Sequence, residues 1–301
     1  MKRKKRATSG ARSGTRTDGA AAPSAWNRFW FARIPPHGLA LFRIGLAVFL
    51  LGYWLPKAPH VALMFSSEGV YLPVLIPWNA PPPAIAWILY AALLASCGLL
   101  ALGWRSRIVA PAVLLLYLHH YFLDLAVRDT SFDRLIAIVL LLACFAPLDR
   151  VWAISAPRGA EDPDVVAWPA RLLGVQLALL YLGSGVWKLL STSWHRGEML
   201  EMTLLGPWAT STGLALAGLR LPGWFWSLST FSVVAFELVA GLTLHLRRLA
   251  KPTMLAGIVF HLSIWIFLDI PEFMICVVLY AVLLDPDEVR RLVERVQIHS
   301  R

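Results

Sequence analysis

An amine sits near the end of an apolar run: Lys188 lies in YLGSGVWKLL, and STSWHRGE, with a Trp-x-x-Gly turn, follows it. In hydrocarbon an ionisable side chain either snorkels to water or performs chemistry. Snorkelling places the Lys188 ammonium at the headgroup boundary. The chemical reading rests on desolvation: an amine in an apolar pocket loses its preference for the charged state and becomes a usable base near neutral pH. Tyr181 is seven residues earlier and Ser184 four earlier. Both therefore share the Lys188 face of a helix and can hydrogen-bond in series towards an outward-opening pocket. Gly183 and Gly185 remove bulk beside that face, which permits close helix contact or the approach of a flat ligand.

A second set of polar residues falls at the same outward side, near the ends of other apolar runs: His119, His120, Asp124 and Asp133. His120 and Asp124 are spaced i to i+4 and share a face. A tandem histidine pair can be a hydrogen-bonded structural feature or the start of a metal site, but no third ligand accompanies it, and a metal is not expected. Arg43, Glu237 and His261 lie deeper in their runs. At about 1.5 Å per residue, Glu237 is roughly 12 Å and His261 roughly 14 Å from one end of their helices, and Arg43 about 8 Å. Their common depth predicts a buried polar network, economical because each unpaired group costs several kcal/mol in hydrocarbon. By the same rise Lys188 is about 20 Å in depth from Glu237 and needs a separate partner.

The elements that must position these residues are membrane helices. The 301-residue chain is 58% hydrophobic and 15% charged, with mean hydropathy +0.62, and its apolar residues fall into long runs. Eight are long enough, or nearly so, to span: about 38–56, 83–103, 108–127, 133–153, 166–190, 224–245, 252–269 and 271–285. They are continuously apolar rather than alternating, which excludes a membrane barrel. An all-α, polytopic membrane bundle of about eight transmembrane helices is expected.

Residues 1–25 combine Lys and Arg with Ser, Gly, Thr and Ala and offer nothing to pack, so a disordered basic tail is expected. The first apolar run begins only near Leu39, at full membrane length and without a small-residue cleavage pattern, so it should be retained rather than removed as a signal. Basic residues then alternate between sides. Arg105, Arg107, Arg150, Arg158, Arg171, Arg247, Arg248, Lys251, Arg290, Arg291, Arg295 and Arg301 fall with the tail, against Lys57, Arg128, Arg134, Arg196 and Arg220 opposite. That asymmetry predicts both termini in the cytoplasm and a multi-pass protein of the cell (inner) membrane. The domains read as the tail, a transmembrane domain over 26–285, and a short basic cytoplasmic segment over 286–301. The net charge of +10 matches an anionic leaflet, and no nucleic-acid motif accompanies it. Cys97, Cys144 and Cys276 are isolated in apolar runs and read as core residues. No phosphate loop or nucleophile elbow is present, and no internal repeat supports a two-halved transporter.

Tyr181, Gly185, Lys188, Trp194 and Gly197, followed by Glu237, His261, Phe273, Met274 and Asp285, resemble the pattern of the HTTM family, the horizontally transferred transmembrane domain shared with vitamin K-dependent gamma-carboxylase. LFRIGLAVFLLGYWL, with Arg43, and DTSFDRLIAIVLLLACFAPLDRVWAI are similar to that family's first span and its later loop-to-helix junction. The resemblance runs over roughly 35–285. It implies a site for a reduced quinone, with a prenyl quinone or quinol as the cofactor and Lys188 at the position of the carboxylase base. Trp187 precedes Lys188 where the carboxylases pair two lysines. Asp133 and Arg134 stand where they place a catalytic histidine. About sixteen residues follow the last run in place of a large substrate-docking portion. Glutamate carboxylation itself is therefore not expected.

Three functions remain open on these residues. One is a quinone- or lipid-dependent membrane enzyme with Lys188 as base, Tyr181 positioning it, and Trp194 closing the pocket over an isoprenoid ligand. His119, His120 and Asp133 are further candidates for its cavity. The second is a non-catalytic module, such as a partner or immunity-type protein, in which Lys188 and the Glu237/His261 pair only fasten helices. A small-solute transporter comes third. Membrane lipids and a lipid-soluble small molecule are the expected partners, and no protein partner is identified.

Overall fold

The computed structural model describes residues 24–69, 79–124, 130–157 and 164–299. The tail up to residue 23, with its expected disorder, lies outside these, as do Arg128, Arg158 and Arg301 of the charge argument. In chain order the helices are α1 (Ala25–Phe31), α2 (His37–Trp54), α3 (Val61–Phe65), α4 (Pro83–Leu102), α5 (Ser106–Asp124), α6 (Ser131–Ala143), α7 (Trp168–Leu190), α8 (Thr192–His195), α9 (Met199–Leu204), α10 (Ser211–Gly218), α11 (Gly223–Thr243), α12 (Ala250–Phe267), α13 (Met274–Leu279) and α14 (Pro286–His299). A two-residue antiparallel ribbon pairs β1 (Arg33–Ile34) with β2 (Val165–Val166), tying the approach to α2 to the approach to α7.

This is a helical membrane bundle. Among the described residues six stretches are long and apolar enough to cross: His37–Phe65, Pro83–Leu102, Ser106–Asp124, Trp168–Leu190, Gly223–Thr243 and Ala250–Phe267. The run expected over 133–153 is helical only through Ala143. Pro147, which has no N–H to donate and clashes with a preceding turn, lies just beyond. The run expected over 271–285 becomes a shorter apolar helix, Pro271–Val282, with 3-10 turns at both ends. Local signals mark other ends. Pro83 opens α4, and Gly103 closes it in the left-handed region at φ 70°. The Thr210 hydroxyl caps α10 by accepting from the Gly213 amide at 3.0 Å.

Large apolar side chains such as Leu115, Leu179, Leu228 and Leu255 face outwards, whereas Arg43, His120, Asp133, Glu237 and His261 are buried. That distribution suits a bilayer, where the solvent welcomes hydrocarbon and ionisable groups turn to the bundle interior. The most extensive helix pair is α7 with α11. It is closed by a reciprocal fit in which Gly185 of α7 receives Leu238, and Gly241 of α11 receives Leu182. A Cβ at Gly185 would lie 2.9 Å from the Leu238 side chain, so the small residue sets the helix separation. Over one end of this pair, α9, α10 and the ends of α11 and α12 bury Trp226, Leu204, Ala217 and Leu268 in a small core of their own.

Candidate functional site

The α7–α11 contact brings Lys188 against Glu237. Lys188 Nζ donates to Glu237 Oε1 and Oε2 at 2.5 and 2.6 Å and to Ser184 Oγ at 2.7 Å, and Ser184 Oγ donates in turn to Glu237 Oε1 at 3.1 Å. The side chains are 17% and 8% exposed. This corrects the expected separation of about 20 Å between Lys188 and Glu237. The expectation assumed that helices end at one level, and they do not. The Thr230 hydroxyl of α11 donates to the Gly197 carbonyl at 3.0 Å and accepts from the Leu200 amide at 3.2 Å, so the segment after α7 packs beside the middle of α11. Glu237 is two turns further in, and Lys188, whose side chain leans back towards the start of its own helix, meets it there.

The turn after α7 sets a ring over the amine. Gly197 has φ 75°, and a Cβ there would lie 2.8 Å from the Ser227 Cβ, so the turn can approach α11 only with glycine. The Gly197 amide closes on the Trp194 carbonyl at 3.3 Å, and the Trp194 ring centroid stands 5.1 Å from Lys188 Nζ. A cation over an indole face is attracted by its quadrupole.

A second polar node lies deeper. The Tyr181 hydroxyl is 2.6 Å from His261 Nε2 and 2.6 Å from the Tyr280 hydroxyl. Gly257 makes the node sterically feasible, because a Cβ there would overlap the Tyr280 hydroxyl. Tyr181 therefore orients His261 and Tyr280; Ser184 and Glu237 orient Lys188. This corrects the expectation that Tyr181 positions the amine, since its hydroxyl is engaged by His261 and Tyr280 while Ser184 and Glu237 hold Nζ.

Both nodes line one cavity of about 710 Å³ between α7, α9, α11, α12 and the Pro271–Val282 segment. That volume falls in the range that buries a small lipophilic ligand. Most of the wall is apolar, with Phe260, Ile264 and Phe273 facing α7. Leu179, Gly183 and Trp187 form one i, i+4 row that lines the cavity and is exposed, with Trp187 73% exposed. The cavity thus opens sideways, on the flank where apolar side chains cover the bundle. Nothing lies within 4 Å of a Cβ built on Gly183, so the mouth is open there.

Comparison with family models finds the HTTM domain over residues 31–287, a stretch that contains every residue of both nodes. The chain belongs to the HTTM family. No curated protein and no solved structure matches it.

Within this HTTM domain other expected site residues lie elsewhere. Arg43 does not join Glu237 and His261. Its guanidinium donates to the carbonyls of Leu148 at 2.7 Å, Val151 at 3.4 Å and Trp152 at 2.5 Å. After α6 ends, these carbonyls have left the helical ladder and need donors, and a buried Arg43 supplies them. The left-handed Gly103 leaves the space that the guanidinium fills. Glu237 and His261 are not paired either, each having found a partner on α7 instead. His119, His120 and Asp133 do not line the Lys188 cavity. His120 is wholly buried among Trp54, Phe65 and Tyr90, with Nδ1 2.7 Å from the Leu116 carbonyl, and the His119 ring packs edge-on against it. Asp133 accepts from Tyr53 at 2.7 Å, Thr130 at 2.6 Å and Tyr117 at 3.3 Å, fastening α6 to α2 and α5. Depth along a helix does not say which neighbour a face meets.

Tyr280 and Gly257 escaped the sequence reading. Each is an uncharged residue in an apolar run, and only the question of what pairs with the Tyr181 hydroxyl, and what leaves room for that partner, leads to them. Among the described residues no group of three His, Cys, Asp or Glu side chains is arranged to hold a metal ion, and the three cysteines are free.

Proposed function

We propose that this HTTM protein is a membrane enzyme that takes a lipid-soluble substrate carrying an acidic hydroxyl, of the quinol type, through the side of the bundle. Lys188 and Glu237 act together as its base. The observation that carries this reading is an amine–carboxylate pair in the wall of an apolar cavity, with an aromatic ring over the amine. Moving one proton from the ammonium to Glu237 gives an amine and a carboxylic acid with no net change in protons held. The amine then accepts the proton of the substrate hydroxyl. The product is an ammonium beside a substrate oxyanion, stabilised where it forms. Ser184 holds the amine in place, and Trp194 closes the pocket above it. Tyr181 and His261 offer hydrogen bonds to the far end of a bound ring or to its second oxygen, with Tyr280 holding Tyr181 from behind. We place the protein in the cell membrane, with the Lys188 end of α7 facing outwards and a prenyl quinone or quinol as the ligand class.

The test is extraction. Protein purified in mild detergent is extracted with organic solvent and its prenyl quinones are quantified. Wild type is expected to carry a quinone in stoichiometric amount. Lys188→Arg, which keeps charge but not the compact amine, is expected to lose most of it at an unchanged melting temperature. Wild type devoid of quinone, and unable to take up a short-chain quinol, overturns the assignment.

One observation favours a non-catalytic module as the second reading. The three donors of the Lys188 ammonium are all used, by Glu237 Oε1, Glu237 Oε2 and Ser184 Oγ, so the pair is satisfied without any ligand. In that case Lys188 is a fastener between α7 and α11 and nothing more.

A further inference from the structure

At the other end of α7 a second pocket, of about 490 Å³, is lined by Arg33, Arg107, Arg150 and Asp164. The site is independent of the Lys188 cavity and of what that cavity does. Three span ends and the end of α6 converge on it: Arg33 lies just before α2, Arg107 in the first turn of α5, Arg150 after the end of α6, and Trp168 and Pro169 open α7. Arg33 spends one donor on the Asp164 carbonyl at 3.0 Å. The Arg107 and Arg150 guanidiniums make no hydrogen bond or ion pair among the described residues.

The remaining walls also suit an anion. The N-cap of α7 is Ala167, which makes no side-chain cap, and the first turn of this 23-residue helix carries no acidic residue. The start of α7 and its positive dipole end therefore adjoin the pocket, where Asp164 is the acidic residue of the lining. Three guanidiniums against one carboxylate leave the lining at a net charge of +2. At the rim the chemistry changes. Phe145, 59% exposed, packs its ring 6.2 Å from that of Trp168, so an apolar aromatic wall adjoins the cationic floor.

From this arrangement we infer a binding site for an anionic phospholipid: Arg107, Arg150 and Arg33 hold the phosphodiester at the start of α7, and an acyl chain runs along Phe145 and Trp168. Guanidinium groups suit phosphate because their paired N–H donors match its oxygens. A free phosphate ion would satisfy the cationic floor equally well. The aromatic wall and the position at span ends favour the lipid, since headgroup phosphates lie at that level.

Native mass spectrometry of the full-length protein decides this. The probes are phosphatidylglycerol and phosphatidylcholine with identical acyl chains, with inorganic phosphate as a separate arm. Wild type is expected to retain one phosphatidylglycerol at energies that strip phosphatidylcholine, and to melt higher in its presence. The double variant Arg107→Gln/Arg150→Gln removes two exposed or half-buried charges and should fold. It is expected to lose the preference, binding phosphatidylglycerol about tenfold or more weakly, at roughly a factor of several per basic residue at a membrane surface. A charge-matched control, Arg196→Gln/Arg248→Gln, is expected to keep it. Equal retention of the two lipids, loss of preference in the control, or protection by inorganic phosphate that phosphatidylglycerol does not exceed would overturn the lipid site.

Discussion

Arg43 and Lys188 are both cations buried in a membrane bundle, yet they stand in opposite surroundings. Arg43 is wholly enclosed and spends its guanidinium on three backbone carbonyls of one turn. Lys188 is held by a carboxylate and a hydroxyl on two helices and borders a cavity with an open flank. Either would cost several kcal/mol if left unpaired in hydrocarbon, so burial and pairing alone do not separate them. The void does. A polar node with empty volume beside it can meet a ligand, whereas one without it can only hold the fold. Asp133 falls on the Arg43 side of this division, because its carboxylate is enclosed by Tyr53, Tyr117 and Thr130.

The sharpest way to break the comparison is Arg43→Met. The methionine fills part of the volume but leaves the carbonyls of Leu148, Val151 and Trp152 without donors. A loss of roughly 3–5 kcal/mol is expected, the range for stripping one partner from a buried charged network. Thermal unfolding in detergent reads it as a large drop in melting temperature. Any ligand in the Lys188 cavity should be lost only in proportion to unfolded protein. A stable Arg43→Met variant would remove the structural half of the contrast.

The Lys188–Glu237 pair should respond less, and reversibly. Lys188→Met strands the Glu237 carboxylate, and Glu237→Met strands the ammonium. Either alone is expected to cost about 2–3 kcal/mol, below the fully buried case because Ser184 still bonds whichever partner is left. The double variant Lys188→Met/Glu237→Met removes both charges and should recover most of that stability. If it recovers stability and still carries quinone, the pair is a fastener and the enzyme reading fails. Recovery of stability with an empty cavity supports the pair as the ligand's anchor.

How far the sequence foretold this site depends on which relation is asked for. Six of the eight expected spans were legible because a bilayer demands long apolar runs. Lys188, Tyr181, Glu237 and His261 stood out because polar groups inside such runs need a reason. Their pairing was not legible. Equal depth suggested Glu237 with His261, but α11 and α7 are offset along their axes, and Glu237 meets Lys188 instead. Trp194 and Gly197 were legible as a turn, and only packing against Thr230 and Ser227 sets that turn over the amine. Tyr280 was hidden by being an ordinary residue of an apolar run, although it completes the Tyr181 node. Offsets and azimuths arise from side-chain fit between helices, such as Gly185 against Leu238 and Gly241 against Leu182, and a linear pattern carries no record of them.

Gly183→Leu should have the smallest effect on stability and tests the void directly. A Cβ at this position meets nothing within 4 Å, so the substitution creates no clash, and leucine is a better helix former than glycine by roughly 0.8 kcal/mol. The new side chain would project from the exposed row between Leu179 and Trp187 into the mouth of the cavity. Melting temperature is therefore expected to hold or rise slightly while extractable quinone falls severalfold, and a slower uptake of short-chain quinol should accompany it. A variant that folds as well as wild type but cannot be loaded separates access from architecture, which neither Arg43 nor the Lys188 pair can do alone. Undiminished loading would mean that the ligand reaches Lys188 by another route, past Trp194 from the end of the bundle rather than from the lipid side.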